Sequence, residues 1–281
     1  MKLSSFESEY ADSALPTFQG TPAGHDEVRI SSDAETPWTQ MSALLGSTVI
    51  QAVQSFYLAK RSRQYFSDLP DNDDRVGQAM EHINNRLMRL AVLDIAALND
   101  GGLAGKDPEN TRVASLPTAH RRMKKHLKSA KASSAEVDQL SKLQSDINCD
   151  LFTPLLYVRH LRNKWAGHPS LDRRFDAWAG ADKTLSVAAV EAALARLVNN
   201  ARDTALFASS APALQDFRQP PAVANPDGSR PMEVDLSNVI VWAGLMRDSA
   251  GDQVRALRAQ ITGETMLERF AHTEAYRGEQ Y

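Results

Sequence analysis

The residue types best suited to chemistry stand together in one short stretch, RNKWAGH at positions 162–168. Arg162 carries a permanent positive charge and a planar fork of donors that matches phosphate oxygens. His168 can accept and release a proton near neutral pH. The pair therefore indicates phosphate chemistry. A structural role is the alternative, because Arg and His at the C-terminal end of a helix also interact favourably with the helix dipole.

The element that must position this motif is an amphipathic helix predicted over about 154–166. Thr153-Pro154 is typical of a helix start, with threonine as the N-cap and proline in the first turn. The helical period puts Arg162 at the border of the apolar face, and Gly167 is expected to end the helix. The apolar face consists of Leu155, Tyr157, Val158, Leu161 and Trp165.

The rest of the chain also follows a helical period. Apolar residues recur at helical spacing over about 38–66 and 74–98, and further helices are predicted to begin near Ser115, Ser133 and Ser186. No stretch shows sustained strand alternation. The sequence therefore predicts an all-α fold, an antiparallel helical bundle with an N-terminal arm and a C-terminal helical extension.

One acidic residue, Asp94, falls within the apolar stripe predicted for the second long helix. A lone acid in such a position is usually paired with a buried base or turned towards the rim. We therefore expect Asp94 to have a basic or hydrogen-bonding partner. The predicted stripe is Val76, Met80, Ile83, Leu87, Leu90, Asp94 and Ala97.

Composition divides the chain into four predicted parts. Residues 1–36 form an acidic arm, with basic residues only at Lys2 and Arg29. Residues 37–208 form the helical bundle. Residues 209–232 contain five prolines and are predicted to be an extended connector, and residues 233–281 form a C-terminal helical extension.

Composition also bounds the function class. The net charge is −3, so a nucleic-acid surface would have to be local. The single cysteine, Cys149, fits a reducing compartment, and the longest apolar run is too short to span a bilayer, so a cytoplasmic protein without membrane association is expected. There is no His-Glu-x-x-His pair and no second cysteine for zinc, so we expect no metal and no cofactor.

A basic helix face is the candidate for a local nucleic-acid surface. The predicted third helix carries basic residues on its outer face and no acid, which suits a phosphate backbone but is also typical of a solvated helix face. The candidate RNA-binding residues are Arg121, Arg122, Lys124, Lys125 and Lys128, together with Arg159 and Lys164.

This order of elements and motifs resembles the HEPN superfamily, and within it abortive-infection proteins of the AbiU type. The resemblance covers roughly residues 40–207 and is most specific at the Arg-Asn…His motif. The matching positions are Leu90, Leu93 and Asp94 in a short helical sequence motif, Ser115-Leu116 at a helix start, and Arg162, Asn163, Lys164 and His168 in the Arg-Asn…His motif.

The resemblance implies a homodimeric, metal-independent endoribonuclease that acts as a toxin or phage-defence effector and that an antitoxin or regulator protein would control. RNA would supply its own 2′-hydroxyl nucleophile, so the protein must supply proton transfer and charge stabilisation. In such a site His168 would be the general acid or base, Arg162 would hold the phosphate oxygens, and Asn163 would orient one or the other.

A second class of function is open from the sequence alone. A helical domain of this kind can also be a non-catalytic binding or scaffold module in a toxin–antitoxin or defence system. The two classes differ in geometry, because an enzyme needs a cleft that exposes His168 to the substrate, whereas a module does not.

Overall fold

The computed structural model describes residues 38–66, 74–101, 114–167, 185–218 and 236–278, and within these ranges the chain is all-helical, with no strand. The helices are α1 (Trp38–Phe66), α2 (Asp74–Leu98), α3 (Leu116–Ser129), α4 (Ser134–Asp146), α5 (Thr153–Leu161), α6 (Val187–Ser210) and α7 (Val239–Gly278). The all-α prediction is therefore confirmed, as are the bounds predicted for α1 and α2. None of the described helices combines the length and apolarity needed to cross a bilayer.

Helix α1 lies at the centre of the fold and packs against α2, α6 and α7. Its core-facing side chains Leu45, Val49 and Phe56 are completely buried. A second, smaller core joins α3 and α4 to the end of α6, with Met123, Leu140, Phe207 and Leu214 among its buried members. Each large apolar side chain that is buried stabilises a fold by about 1.5–3 kcal/mol. The packing of these two cores therefore holds α2, α3 and α5 against one another.

The helix starts agree with the sequence in three places. Ser115, Ser133 and Ser186 are N-caps whose hydroxyls accept a backbone N–H, and Ser133 with Glu136 forms a complete capping box. The prediction for Thr153 is wrong: the N-cap of α5 is Phe152, which makes no side-chain cap bond. Thr153-Pro154 supplies the first two helical positions instead, where the proline lacks only an N–H that would have no helical partner.

The buried face of α2 lies one residue later than predicted. Its buried positions are Met80, Asn84, Met88, Ala91, Val92, Ile95, Ala96 and Leu98. The prediction followed the largest apolar residues, but Ile83 and Leu90 are 45% and 50% exposed. The smaller Ala91 instead faces the core, which permits close helix packing.

This register moves Asp94 to the edge of the buried face. Asp94 is half-buried, and no hydrogen bond or ion pair joins it to another residue in the described ranges, so the partner expected from the sequence is not among them. Burial raises its pKa from the usual 3.8 to about 6. The carboxyl group therefore responds to desolvation by holding its proton more tightly rather than by pairing.

Residues of the predicted connector and of the predicted C-terminal extension are packed into the two cores. Residues 209–218 were predicted as part of an extended connector, but they form the end of α6 and two short 3-10 helices, because Ala211 and Leu214 are buried in the smaller core. Val239 and Ala243 of α7 belong to the same core as α1. The predicted arm 1–36 and residues 219–235 lie outside the described residues.

Candidate functional site

The motif begins where α5 changes its helical pitch. Residues Arg162–Ala166 form one turn of π-helix, and the Gly167 N–H donates to the Arg162 carbonyl at 2.8 Å. A Cβ atom on Gly167 would lie only 2.8 Å from that oxygen, so this close approach requires glycine. The sequence predicted an α-helix up to residue 166, and the π turn is a departure from it. Such turns are rare and occur frequently at functional sites.

Two contacts hold the π turn against α2. The Trp165 ring packs against the main core, and the Arg89 guanidinium lies 5.1 Å from the ring centroid, within cation–π range. On the other side of the turn, Nη1 of Arg162 is 3.4 Å from Oδ2 of Asp100, just beyond the end of α2. The ion pair with Asp100 orients the Arg162 side chain, which remains 44% exposed.

Asp100 is itself held by the start of the next helix. The Ser115 hydroxyl donates to the Asp100 carbonyl at 2.6 Å, while Ser115 also serves as the N-cap of α3. The end of α2, the start of α3 and the π turn are therefore joined through Asp100. Asp100 is not predicted as a site residue from the sequence, because its partner Arg162 is distant in the chain.

A first cavity of about 300 Å³ opens beside this junction. Its polar wall consists of Asn99, Asp100, Arg159, Arg162 and Asn163. Its apolar wall is formed by Ile95, Leu155 and Val158 of α2 and α5. The structure therefore brings three predicted site residues, Arg159, Arg162 and Asn163, to one cavity. Among the described residues of its wall, two guanidinium groups accompany one carboxylate, an arrangement that suits an anionic ligand.

A second cavity of about 320 Å³ adjoins the first and shares Asn99, Gly101, Cys149 and Arg159 with it. The Asn99 amide donates to the Cys149 sulfur at 3.1 Å, which links the two sides of this shared wall. The remaining wall includes Pro117, His120, Arg121, Gln144, Ile147 and Asn148. Arg159 is the basic residue common to both cavities.

The predicted basic residues divide into two groups. Arg121 and Arg159 line the cavities, whereas Arg122, Lys124, Lys125 and Lys128 lie on α3 outside the described walls of both. Lys164 is half-buried in the π turn and is also absent from those walls. His168, the predicted acid or base, lies outside the described residues.

A buried polar network stands behind the second cavity. His120 is completely buried, and its Nε2 lies 2.8 Å from the Thr204 hydroxyl. That hydroxyl donates to Oδ1 of Asn200 at 3.4 Å, and the Asn200 amide donates to the Leu143 carbonyl at 2.9 Å. The His120 ring is therefore linked through Thr204 and Asn200 to the backbone of α4.

The His120 ring is neutral in this environment. Burial lowers its pKa from 6.5 to about 4, so it carries no charge at physiological pH. Its Nδ1 is buried without a hydrogen-bond partner among the described residues. No role for His120 is predicted from the sequence. A histidine among the buried positions of an amphipathic helix was the available signal.

Comparison of the chain with protein-family models, curated protein sequences and solved structures gives no significant match. Its function must therefore be inferred from the chemistry of the site itself.

Proposed function

We propose that this protein is a metal-independent endoribonuclease of the HEPN type, with the first cavity as part of its active site. The observation that carries the proposal is the convergence of Arg159, Arg162 and Asn163 on that cavity. Guanidinium groups bind phosphate oxygens in a bidentate manner, and an amide can donate to the same oxygens. The motif at residues 162–168, which was identified from the sequence, supplies His168 for proton transfer.

In the proposed reaction, His168 removes the proton from an RNA 2′-hydroxyl. The 2′-oxygen forms a bond to the adjacent phosphorus while the bond from phosphorus to the 5′-oxygen breaks. A proton from an imidazolium, on the same chain or on His168 of a second copy, goes to the leaving 5′-oxygen. The products are a 2′,3′-cyclic phosphate and a free 5′-hydroxyl.

Arg162 has the clearest role in this scheme. Negative charge builds on the non-bridging oxygens as the 2′-oxygen attacks, and a fixed guanidinium stabilises it without reorganisation. The ion pair with Asp100 orients Arg162 and leaves nearly half of its side chain exposed for the phosphate. Arg159 is exposed and lines the same cavity, so its charge can attract the RNA backbone.

The wider biological role follows from the resemblance. We propose a homodimer in which two copies of the motif share one cleft, and a toxin or phage-defence activity held in check by an antitoxin or regulator. The basic residues of α3 outside the cavities, Arg122, Lys124, Lys125 and Lys128, would extend the RNA path. Lys164 is assigned a minor part in binding.

Cleavage of total RNA by the purified protein in the presence of EDTA tests the proposal. We expect cleavage that leaves 2′,3′-cyclic phosphates, and we expect His168→Ala to reduce its rate by about 100- to 10,000-fold. Arg162→Ala should reduce it by on the order of 100-fold. Arg202→Ala is a matched control, because Arg202 is equally exposed and also paired with an acid, Asp203.

The outcome also separates the two classes of function. Equal cleavage by the wild type and His168→Ala, or cleavage that EDTA abolishes, contradicts the mechanism. RNA binding that depends on Arg162 but is followed by no cleavage favours the non-catalytic binding module.

A further inference from the structure

We propose that the second cavity is a nucleobase subsite, which holds the base of the nucleotide whose phosphate lies between Arg159 and Arg162. This inference rests on the proposed function, because it assumes that RNA occupies the first cavity. It adds a source of sequence preference that the Arg and His motif alone does not supply, since phosphate contacts carry no base information.

The position of Arg159 connects the two cavities. Its side chain lines both, and it forms no ion pair with another described residue. A phosphate bound by Arg159 and Arg162 would therefore lie at the boundary, with the second cavity as the adjoining space. The cavity of about 320 Å³ falls within the range of small-molecule sites, roughly 300–1,000 Å³.

The chemistry of the second cavity suits a base rather than a second phosphate. Pro117 and Ile147 give it an apolar surface, while Gln144 and Asn148 supply amide groups. Amides can hydrogen-bond to the edges of bases, and guanidinium planes such as that of Arg121 can stack on them. The Arg121 guanidinium is restrained, because its Nη2 donates to the Thr118 hydroxyl at 3.0 Å.

Two polar groups at this cavity lack partners within the described chain. The half-buried Gln144 side chain makes no hydrogen bond to another described residue. Nδ1 of His120, a residue of the same wall, is buried without a hydrogen-bond partner among the described residues. Polar groups without partners are costly to bury, so a base edge that pairs with the Gln144 amide would be favoured.

The test measures binding without cleavage. Isothermal titration of the full chain with 2′-deoxy trinucleotides of A, C, G or T, and with an abasic trinucleotide of equal charge, separates base binding from phosphate binding. We expect at least one base to bind about tenfold more tightly than the abasic ligand, which is the scale of a good amide–base contact. All four bases binding like the abasic ligand would overturn the subsite.

Substitution of Gln144 locates the preference. Gln144→Leu should remove the base preference and leave affinity for the abasic ligand within about twofold, whereas Gln139→Leu, an exposed position of the same helix, should change neither. If Gln144→Leu does not fold, Gln144→Glu tests the assignment instead. It keeps the size of the side chain but replaces the amide donor with a carboxylate acceptor, so it should change which base binds best. Retained preference in the folded variant contradicts the assignment.

The failures of the two proposals are distinguishable. Absence of binding to the abasic trinucleotide counts against the phosphate site of the first cavity, and hence against the proposed function. Binding of every ligand with equal affinity counts against the base subsite alone. A base preference in a protein that cleaves no RNA leaves the subsite in place and overturns the nuclease.

Discussion

Asp94 gives a direct test of how burial acts on this fold. Asp94→Asn removes a charge that is half-desolvated and has no ion-pair partner among the described residues. Above pH 6 the wild-type carboxylate is ionised in a site that disfavours ionisation, which lowers the stability of the folded state. The amide has nearly the same shape and carries no charge. We therefore expect the variant to be more stable than the wild type at pH 8.

The size of this stability difference follows from the pKa shift of Asp94. A rise from 3.8 to about 6 corresponds to an upper limit of about 3 kcal/mol, at about 1.4 kcal/mol per pH unit. Partial solvent access reduces this to roughly 1–2 kcal/mol. The folded state binds the proton more readily than the unfolded state, so the wild type recovers this stability as the pH falls from about 6 to 3.8. The difference between variant and wild type should disappear near pH 4.

His120 has the opposite effect on the stability of the fold over nearly the same pH range. Its pKa is about 4 when folded and 6.5 otherwise, so the unfolded state takes up a proton first and stability is lost as the pH falls from 6.5 to 4. In the wild type the two groups oppose each other. Asp94→Asn removes one of them, so the variant should show a steeper loss of stability at acid pH than the wild type.

Urea unfolding at pH 8, 6 and 4 measures these differences. Asp138→Asn, an exposed acid on α4, is the control and should change stability equally little at each pH. A loss of more than about 1 kcal/mol for Asp94→Asn at pH 8 would refute the reasoning, because it would mean that the carboxylate has a favourable partner.

Two further substitutions test the site and its support. Gly167→Ala places a Cβ against the Arg162 carbonyl and should cost about 1–3 kcal/mol in thermal unfolding and reduce RNA cleavage, whereas unchanged stability and cleavage would show that the close approach is unimportant. Thr204→Val leaves His120 Nε2 without its hydrogen-bond partner and should cost about 1–3 kcal/mol in urea unfolding. Thr48→Val, at a partly exposed position, is the control. An equal loss of stability at both positions would contradict a stabilising role for the His120–Thr204 hydrogen bond.

The sequence predicts the long helices well because their apolar residues recur at helical spacing and several helices begin at a capping serine. The bounds of α1 and α2 agree with their periodic stretches, and Ser115, Ser133 and Ser186 act as the expected caps. The face of α2 is less predictable, because size alone favoured Leu90 over the smaller residues that pack closely against α1. Helix propensity fixes where a helix runs, whereas tertiary packing decides which side is buried.

The candidate site is only partly predictable for a similar reason. Arg159, Arg162 and Asn163 lie close together in sequence on one helix and its continuation, so their arrangement at one cavity could be expected. Asp100 follows the end of α2 and Gln144 lies on α4, and no spacing rule connects them with Arg162. Their contribution depends on how α2, α4 and α5 pack together.

The π turn has a consequence for how the motif is recognised in other sequences. A π turn accommodates one residue more than an α-helical turn, so it is equivalent to a single insertion within a helix. Gly167 therefore bonds to a residue five positions earlier, where an α-helix would use four. A relative that lacks this insertion would have one residue fewer between its arginine and its histidine. Pattern searches for related proteins should therefore allow the length of this interval to vary and should treat a glycine beside the histidine as a sign of the wider turn.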